Sequence, residues 1–403
     1  PAGTPPNIPT LDLTYYPNER GQYNYDLPDG SSVSSGLEDD GTLKDPDTRW
    51  GGIQRSLTTT DFESSNIEFI QFWLMDPFNE DSENQTGGDL YFNLGNVSED
   101  ILNDSQLSFE NGYPTQNQDL PVLESTWGLF PDPSTFNVVN AFDNSLPASV
   151  GYSEQDIGID GLNSFEEREY FGDWLSEVEA AISAEGYAAI YADPSADDFS
   201  YFRGQSSGTD GLQTIDKYGR YNGYEGNSDT RQPNPDGFPV TATTIPNTED
   251  INQDLTLNSI ESYFQYHVSL RQADLGENNI GNNYISDSFV ASLKNLPIDE
   301  EKSVRWYQFK IPVKEFEEKV GGIQDFRSVR YIRMFVKGFS EPVTLRFARL
   351  ELVRGEWRRY DQSLEGPQEL EPGDPEPTTF NISAVNIEEN GNRDPVNYVV
   401  PPG

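Results

Sequence analysis

Two stretches of this chain repeat the same interruption in an alternating pattern of apolar residues. The alternation changes phase between the third and fourth positions in residues 67–74 (IEFIQFWL) and again in residues 329–336 (VRYIRMFV). Side chains of a strand alternate between its two faces, so a slip of one residue reverses all later side chains unless a bulge accommodates it. Both stretches are therefore predicted to be bulged strands.

The surroundings of the two stretches favour a duplicated building block. Asp61-Phe62 precedes the first stretch and Asp325-Phe326 the second, and each stretch is followed by another alternating run, residues 90–94 and 343–347. The alternative is two unrelated strands of similar composition, although enrichment in Phe, Ile and Val does not by itself reproduce a phase slip.

The predicted fold class is mainly β, with two jelly-roll-like (galactose-binding-like) β-sandwiches and a loop-rich, partly helical central block. We divide the chain into an N-terminal extension (1–45), a first sandwich (46–150), a helical and loop block (151–255), a second sandwich (256–360) and a linker and tail (361–403). Strands are predicted near residues 11–16, 49–53, 262–271, 304–311, 329–337 and 343–353, and helices near 165–184 and 313–320.

Composition excludes several classes of function. The 403 residues include 26 Lys plus Arg and 69 Asp plus Glu, and the resulting net charge of −43 disfavours nucleic acid and anionic lipid as partners. The chain has no cysteine, so it can form neither a disulfide nor a Cys-based zinc site. No apolar run is long enough for a membrane-spanning helix and no signal peptide is recognised, so we expect a mature fragment of a longer protein.

Basic residues are concentrated in one region. Residues 301–360 hold 14 basic and 8 acidic side chains. The arginines form either a solvated sheet face or ion pairs with acidic loops of this chain or of a partner. The arginines in question are Arg327, Arg330, Arg333, Arg346 and Arg349.

No catalytic machinery is recognised, and the protein is predicted not to be an enzyme. The single histidine, His267, lies in an aromatic run typical of a strand, with a catalytic or ligand role as the alternative. Close pairs of carboxylates are inevitable among 69 acidic residues, so they do not indicate acid–base catalysis.

One acidic run matches most of a calcium-binding loop of the EF-hand type. Asp156, Asp160, Gly161 and Glu167 stand at its first, fifth, sixth and twelfth positions, and a predicted helix follows. The third position is Gly158, where Asp or Asn is usual, but water or a backbone carbonyl can replace one ligand. We predict a structural Ca²⁺ site that uses the three carboxylates.

A second match places Asp250, Asn252, Asp254 and Glu261 at the first, third, fifth and twelfth positions. The sixth residue is Leu255, which tolerates a positive φ poorly, so the turn is predicted to differ from that of an EF-hand. For both loops the alternative is a chance match, or helix capping, in a chain rich in Asp and Asn.

Several long motifs resemble the SprA/Sov family. They are residues 60–78 (TDFESSNIEFIQFWLMDPF), 90–102 (LYFNLGNVSEDIL), 247–258 (NTEDINQDLTLN) and 396–403 (VNYVVPPG), and the resemblance extends from about residue 46 to the end. Members of this family are very large outer-membrane proteins of gliding motility and the type IX secretion system.

The resemblance implies a translocon, a large β-barrel through which folded proteins cross the outer membrane. The chain lacks the many lipid-facing strands of such a barrel, so we expect a soluble domain attached to it, on the cell surface rather than in the periplasm. Its implied partners are the rest of the translocon barrel, accessory outer-membrane lipoproteins and secreted cargo proteins. The family supplies no catalytic residues.

A carbohydrate-binding module of a cell-surface glycan system is the alternative function, because sandwiches of this kind also bind glycans. Exposed tryptophans could stack on sugar rings. The candidates are Trp50, Trp73, Trp127, Trp306 and Trp357, of which at least three are expected to lie in a core.

Overall fold

The computed structural model describes residues 8–78, 86–108, 122–124, 129–131, 158–198, 248–293 and 302–355. The chain divides into a unit of Pro1–Val353 and a unit of Arg354–Gly403, which contains the predicted tail and lies almost wholly outside the described residues. The strands are β1 (Thr10–Tyr15), β2 (Trp50–Ser56), β3 (Ile67–Met75), β4 (Asp89–Asn96), β5 (Val122–Glu124), β6 (Leu129–Pro131), β7 (Ser262–Ser269), β8 (Ile285–Leu293), β9 (Lys302–Pro312), β10 (Glu318–Val320), β11 (Tyr331–Lys337) and β12 (Val343–Arg354). The α-helices are α1 (Ser164–Tyr170), α2 (Gly172–Ala181) and α3 (Ala184–Ala192).

Ten strands form two five-stranded sheets. Sheet 1 has the order β1-β12-β3-β9-β8 and sheet 2 the order β10-β7-β4-β11-β2, while β5 pairs with β6. Every pair with a defined register is antiparallel. The mainly β fold class is confirmed. No helix in the described ranges has the length and apolar character needed to span a membrane.

The two sheets face each other across one apolar core. Phe72 of sheet 1 stacks on Phe309 at 5.0 Å between ring centroids, meets Phe347 at 5.5 Å, and reaches Phe92 of sheet 2 at 5.5 Å. All four rings are buried, and aromatic pairs of this kind add about 0.5–1.5 kcal/mol each beyond the area that they bury. These contacts join the sheets into a sandwich.

Each five-stranded sheet combines strands from both predicted sandwiches, so these ten strands form one sandwich where two were predicted. The first segment sends β3 to sheet 1 and β4 to sheet 2, and the second sends β11 to sheet 2 and β12 to sheet 1. β3 lies between β12 and β9, and β11 lies between β4 and β2. An alternating pattern specifies a buried face but not the strand that covers it, which is why the interleaving was not predicted.

The shared phase slip is present in both copies. Ile67 and Ile70 both contact the core although they are three residues apart, and so do Val329 and Ile332. The register of β11 with both neighbours is continuous from Tyr331, and the register of β3 with β9 is continuous from Phe69. Each irregularity therefore lies at the start of its strand, before these ladders, and not as a bulge within them.

The predicted single helix near residues 165–184 is two helices, α1 and α2, and a third helix, α3, begins where the predicted range ends. Asn163 caps α1 with its side chain in a reciprocal capping box with Glu166, and Ser183 caps α3 by accepting the N–H of Gly186. The helix predicted at 313–320 is wrong, because that segment forms a turn followed by β10, which pairs with β7.

The N-terminal extension is part of the folded unit and not a separate lead. Its strand β1 pairs with β12 along residues 10–15, and Leu37 and Leu43 pack with Leu175, Val178 and Ile190 in a second, smaller core. Gly186 permits this packing, because a Cβ there would lie 2.5 Å from the carbonyl carbon of Asp40.

Candidate functional site

Three buried carboxylates meet where α1 faces the loop that follows α3. Asp160 precedes α1, Glu167 lies in its first turn, and Asp197 follows α3. One carboxylate oxygen of each lies within 4.8 Å of the others, and none of the three residues is more than 2% exposed. We call Asp160, Glu167 and Asp197 the carboxylate cluster.

Ser195 positions two members of the cluster. Its hydroxyl donates to Asp160 Oδ2 over 2.7 Å, and its backbone N–H donates to Glu167 Oε2 over 2.9 Å. The Tyr25 hydroxyl donates in turn to Ser195 Oγ over 2.9 Å. Glu167 Oε1 is buried and has no hydrogen-bond partner among the described residues.

Burial makes the negative charge of this region costly. Desolvation raises the pKa of Asp160 and of Glu167, and nearby carboxylates raise both further. Burial also raises the pKa of Asp193 and raises that of Asp198 to about 6. One carboxylate oxygen from each of Asp193, Asp197 and Asp198 also lies within 4.8 Å of the other two.

Two guanidinium groups lie beside these carboxylates and donate to backbone carbonyls. Arg20 donates to the carbonyl oxygens of Pro194 over 2.6 Å and Asp193 over 2.9 Å. Arg168 donates to the carbonyl oxygen of Tyr191 over 2.7 Å, and its charge partly opposes the rise that burial causes in the pKa of Asp198. Two cations thus accompany five carboxylates in this region of the described chain.

The N-terminal extension closes one side of the cluster. Tyr23 donates its backbone N–H to the carbonyl of Ser195, and its hydroxyl accepts the N–H of Ile159 over 2.9 Å. Gly158 has φ 52°, and a Cβ there would lie 1.9 Å from Asp197 Oδ2. Only glycine allows the loop to approach this carboxylate so closely.

The structure brings together two of the three carboxylates predicted for the first calcium loop. Asp160 and Glu167 lie in the cluster, and Asp156 lies outside the described residues. Asp197 was missed, together with Asp193 and Asp198. The available signal was three aspartates within six residues directly after a helix, a spacing that differs from the EF-hand pattern.

The second predicted loop finds its partners within the protein. Asp250 accepts the N–H groups of Asp254 and Leu255 at 3.0 and 2.7 Å, and Asn252 donates to the Tyr331 hydroxyl. Leu255 takes the positive φ, 62°, that the sequence disfavours there. These contacts give the side chains of Asp250 and Asn252 partners within the protein, and a calcium site at this loop stays a prediction.

Four of the five arginines singled out in the basic region pair with acidic residues of this chain. The pairs are Arg327 with Glu63, Arg330 with Asp254, Arg333 with Glu261, and Arg346 with Asp12. Glu261 and Asp254, both predicted calcium ligands, thus bind guanidinium groups at 2.9 and 2.7 Å.

Two other buried glutamates organise the loops beside sheet 2. Glu249 accepts the N–H groups of Ile101, Leu102 and Ser108 at 2.7 to 3.0 Å, and burial raises its pKa to about 7. Glu99 accepts two further backbone N–H groups, each at 3.0 Å. Carboxylates bonded in this way satisfy loop donors that are otherwise buried without a partner.

The outer face of sheet 2 carries a row of rings, which we call the aromatic row. Phe335 and Tyr91 stack at 4.7 Å, Tyr91 and His267 stack at 4.9 Å, and Trp50 meets Phe335 edge-on at 6.4 Å. The four residues lie on the adjacent strands β2, β11, β4 and β7. They face away from the core, which Met334 contacts from the next position of β11. Trp50 is 69% exposed.

Asp89 holds one end of the aromatic row. It accepts a hydrogen bond from His267 Nε2 over 2.9 Å and binds both terminal nitrogens of Arg271. Although burial raises the pKa of Asp89, the hydrogen bonds from Arg271 and His267 outweigh it, so the pKa is lowered. His267 is a strand residue, as predicted.

Two other candidate tryptophans, Trp73 and Trp306, are half-buried. Of the candidates that the structure describes, Trp50, Trp73 and Trp306, none is fully buried in the core. Trp73 packs edge-on against Phe289 of the neighbouring edge strand at 5.1 Å. Trp127 and Trp357 lie outside the described residues.

Comparison with known proteins identifies the family. The family SprA_N, described as motility related/secretion protein, matches residues 173–403, more than half of the chain. No curated protein matches the chain. The match includes Asp197 of the carboxylate cluster, strands β7 to β12 and the tail. The chain therefore belongs to the SprA_N family of motility related/secretion proteins.

Proposed function

We propose that this chain is a non-enzymatic domain of an outer-membrane protein-secretion translocon, where it forms a cell-surface cap or vestibule that contacts cargo or accessory subunits. The family match supports a role in secretion and motility. The aromatic row carries the contact role, because exposed aromatic side chains are enriched at protein interfaces and this chain is otherwise strongly acidic and polar. The acidic surface keeps such encounters weak and reversible.

We also propose that the sandwich is of the jelly-roll type. Eight of its strands form four antiparallel pairs, β1 with β12, β2 with β11, β3 with β9 and β4 with β7. Each pair joins an early strand to a late one in reverse order along the chain. That is the pairing of a long antiparallel ribbon rolled into two sheets, which supports this assignment.

Photo-crosslinking in cells tests the contact role. A photoreactive phenylalanine analogue would replace Trp50 in the full-length protein, and the matched control would carry it at Val290, which is 51% exposed and lies on β8 of sheet 1, the other sheet. We expect adducts with secreted cargo or secretion-machinery subunits at Trp50 and few at Val290. Equal yields at the two positions, or no adducts at Trp50, would contradict the proposal.

The side of the membrane has a separate test that exploits the absence of cysteine from this chain. Val33→Cys would be introduced in the full-length protein, with the unsubstituted protein as the background control. A membrane-impermeant maleimide should label intact cells if the domain lies on the cell surface. Labelling that requires permeabilised outer membranes would place the domain in the periplasm.

Glycan binding is the second candidate, and the same row favours it. A flat series of rings across four strands suits stacking against sugar rings, and Asp89, Arg271 and His267 supply polar groups at one end. Binding to a glycan array that Trp50→Ala abolishes would support this function over protein contact. A glycan array without binding would leave protein contact as the function.

A further inference from the structure

The carboxylate cluster brings three acidic side chains together in a buried site. Asp160, Glu167 and Asp197 are buried within 4.8 Å of one another. Two buried like charges at this separation repel strongly, and each also loses its hydration. Proteins resolve such an arrangement by protonating the carboxylates or by binding a cation between them.

Glu167 distinguishes this cluster from an ordinary acidic patch. Glu167 is completely buried. Its Oε2 accepts the Ser195 N–H, and its Oε1 has no hydrogen-bond partner among the described residues. A buried oxygen without a donor has lost its hydration without gaining a hydrogen bond in exchange, and the loss is larger when the group is charged. Glu249, an equally buried glutamate, has backbone donors on both oxygens, so the vacant acceptor is particular to Glu167.

We propose that Asp160, Glu167 and Asp197 bind one Ca²⁺ ion. All donors are carboxylate oxygens, which hard divalent cations prefer, and Ca²⁺ accepts irregular sets of six to eight oxygens. Mg²⁺ demands near-octahedral geometry and retains several waters, so it fits a buried, crowded set of carboxylates less well. Neighbouring Asp193 and Asp198 supply further negative charge for the ion.

The ion would join three segments that are distant in sequence. Asp160 and Glu167 belong to the start of α1, Asp197 to the loop after α3, and the N-terminal extension closes the site through Tyr23 and Tyr25. Binding to the folded state alone stabilises that state by mass action. Ca²⁺ would therefore fasten the extension and the helices into one piece, a role beyond the proposed contact function.

Direct binding measurements test the site in the full chain. After dialysis against EGTA, the protein would be titrated with Ca²⁺ by calorimetry, with Mg²⁺ in a parallel titration and Tb³⁺ luminescence excited through tyrosine. We expect one Ca²⁺ per chain, weaker Mg²⁺ binding, Tb³⁺ emission that Ca²⁺ suppresses, and a Tm that rises with Ca²⁺ concentration. A folded protein that binds no Ca²⁺ at millimolar concentration would overturn the proposal, whatever the variants do.

Glu167→Gln tests the assignment to this cluster, with Glu169→Gln as the matched control at an exposed position of the same helix. Glu167→Gln should weaken Ca²⁺ binding at least about tenfold and should not lower Tm in EGTA, because it removes one of the facing charges. Glu169→Gln should bind as the unsubstituted protein does. Asp197→Asn serves if Glu167→Gln does not fold. Equal Ca²⁺ affinity in all variants would place the ion elsewhere and refute the site.

Discussion

Glu99, Glu167 and Glu249 are all fully buried, but their oxygens have different partners. Both oxygens of Glu99 and of Glu249 accept backbone N–H groups, whereas Glu167 keeps one oxygen without a hydrogen bond among the described residues. Backbone donors stabilise a carboxylate and hold the loop that carries them. Glu99 and Glu249 therefore fix loops, and Glu167 is suited to binding a ligand.

Replacing Glu249 with Gln should loosen the loops beside sheet 2. The amide oxygen can keep the N–H groups of Ile101 and Leu102, but the NH₂ group then faces the Ser108 N–H and cannot accept it. We expect a loss of about 1–3 kcal/mol in the free energy of unfolding, measured by urea denaturation. Glu277→Gln, at an exposed ion pair with Arg305, is the control and should cost less than about 1 kcal/mol. Equal losses would show that Glu249 has no special structural role.

Asp89→Asn should make the free energy of unfolding of the sandwich depend less on pH in the acidic range. The pKa of Asp89 is lowered in the folded protein from its ordinary 3.8, so its ionised form contributes stability above that value and loses it as pH falls through the folded pKa. At pH 7 we expect Asp89→Asn to cost about 1–3 kcal/mol, because Arg271 and His267 lose a charged acceptor. Denaturation curves from pH 7 to pH 2 should show this difference shrinking below pH 4. A difference that is constant with pH would contradict the linkage.

At the scale of single residues, the sequence indicated which side chains could bind ions better than it indicated which residues each of them contacts. Asp160 and Glu167 were recognised from loop spacing, but Asp197 lies 30 positions beyond Glu167 and only the fold of α1 to α3 brings it close. For the basic region, the sequence allowed either solvated arginines or ion pairs, because the order of charges along a chain does not give the distances between them. The structure resolves this in favour of pairing, as with Arg346 and Asp12 at 2.7 Å.

Among the elements, β1 covers the edge of β12 and makes the N-terminal extension structural. Six residues of β1 pair with β12, and Thr14 and Thr344 join their hydroxyls across the pair at 3.0 Å. Covering an edge strand removes a row of open hydrogen-bonding groups that could otherwise pair with another chain. Leu13 also packs against the core.

Leu13→Ser should therefore detach β1. We expect a loss of about 1–3 kcal/mol in unfolding free energy, since part of an apolar side chain loses its burial. Hydrogen exchange followed by mass spectrometry should show that Leu13→Ser accelerates exchange in β12, relative to the unsubstituted protein, more than it does in β4. Leu11→Ser, at a more exposed position of the same strand, is the control and should change β12 little. Unaltered exchange in β12 after Leu13→Ser would show that β1 does not protect this edge.

Strands with strong alternation were predicted well, and elements set by tertiary contacts were not. β7, β9, β11 and β12 lie within two residues of their predicted bounds. β8 was missed because it is an edge strand with a register shift near Ile285, and its Phe289 and Val290 are exposed. The spacing at 313–320 favoured a helix, but pairing with β7 supplies backbone hydrogen bonds that local propensity does not foresee.

For the whole molecule, the two similar segments each contribute strands to both sheets. β3 is the central strand of sheet 1, whereas β11 lies next to the edge of sheet 2, so the two strands do not occupy equivalent positions and the topology does not support duplication of one building block. The phase slip shared by the two stretches was readable from the sequence because it is local. The sequence did not show which strands of one segment pair with which strands of the other, because self-contained and interleaved sandwiches bury the same residues on the same faces.

Phe72→Ala tests whether the two segments share one core. The Phe72 ring contacts Phe92 of its own segment and Phe309 and Phe347 of the other, so a cavity there should lower the free energy of unfolding by about 3–5 kcal/mol. Because strands of both segments line that cavity, hydrogen exchange should accelerate together in β4, β9 and β12, and the sandwich should still unfold in one transition. Phe289→Ala, on exposed β8, is the control and should cost far less. Separately folded segments would instead give two transitions, with β9 and β12 keeping their protection in Phe72→Ala, and the interleaved core would then be refuted.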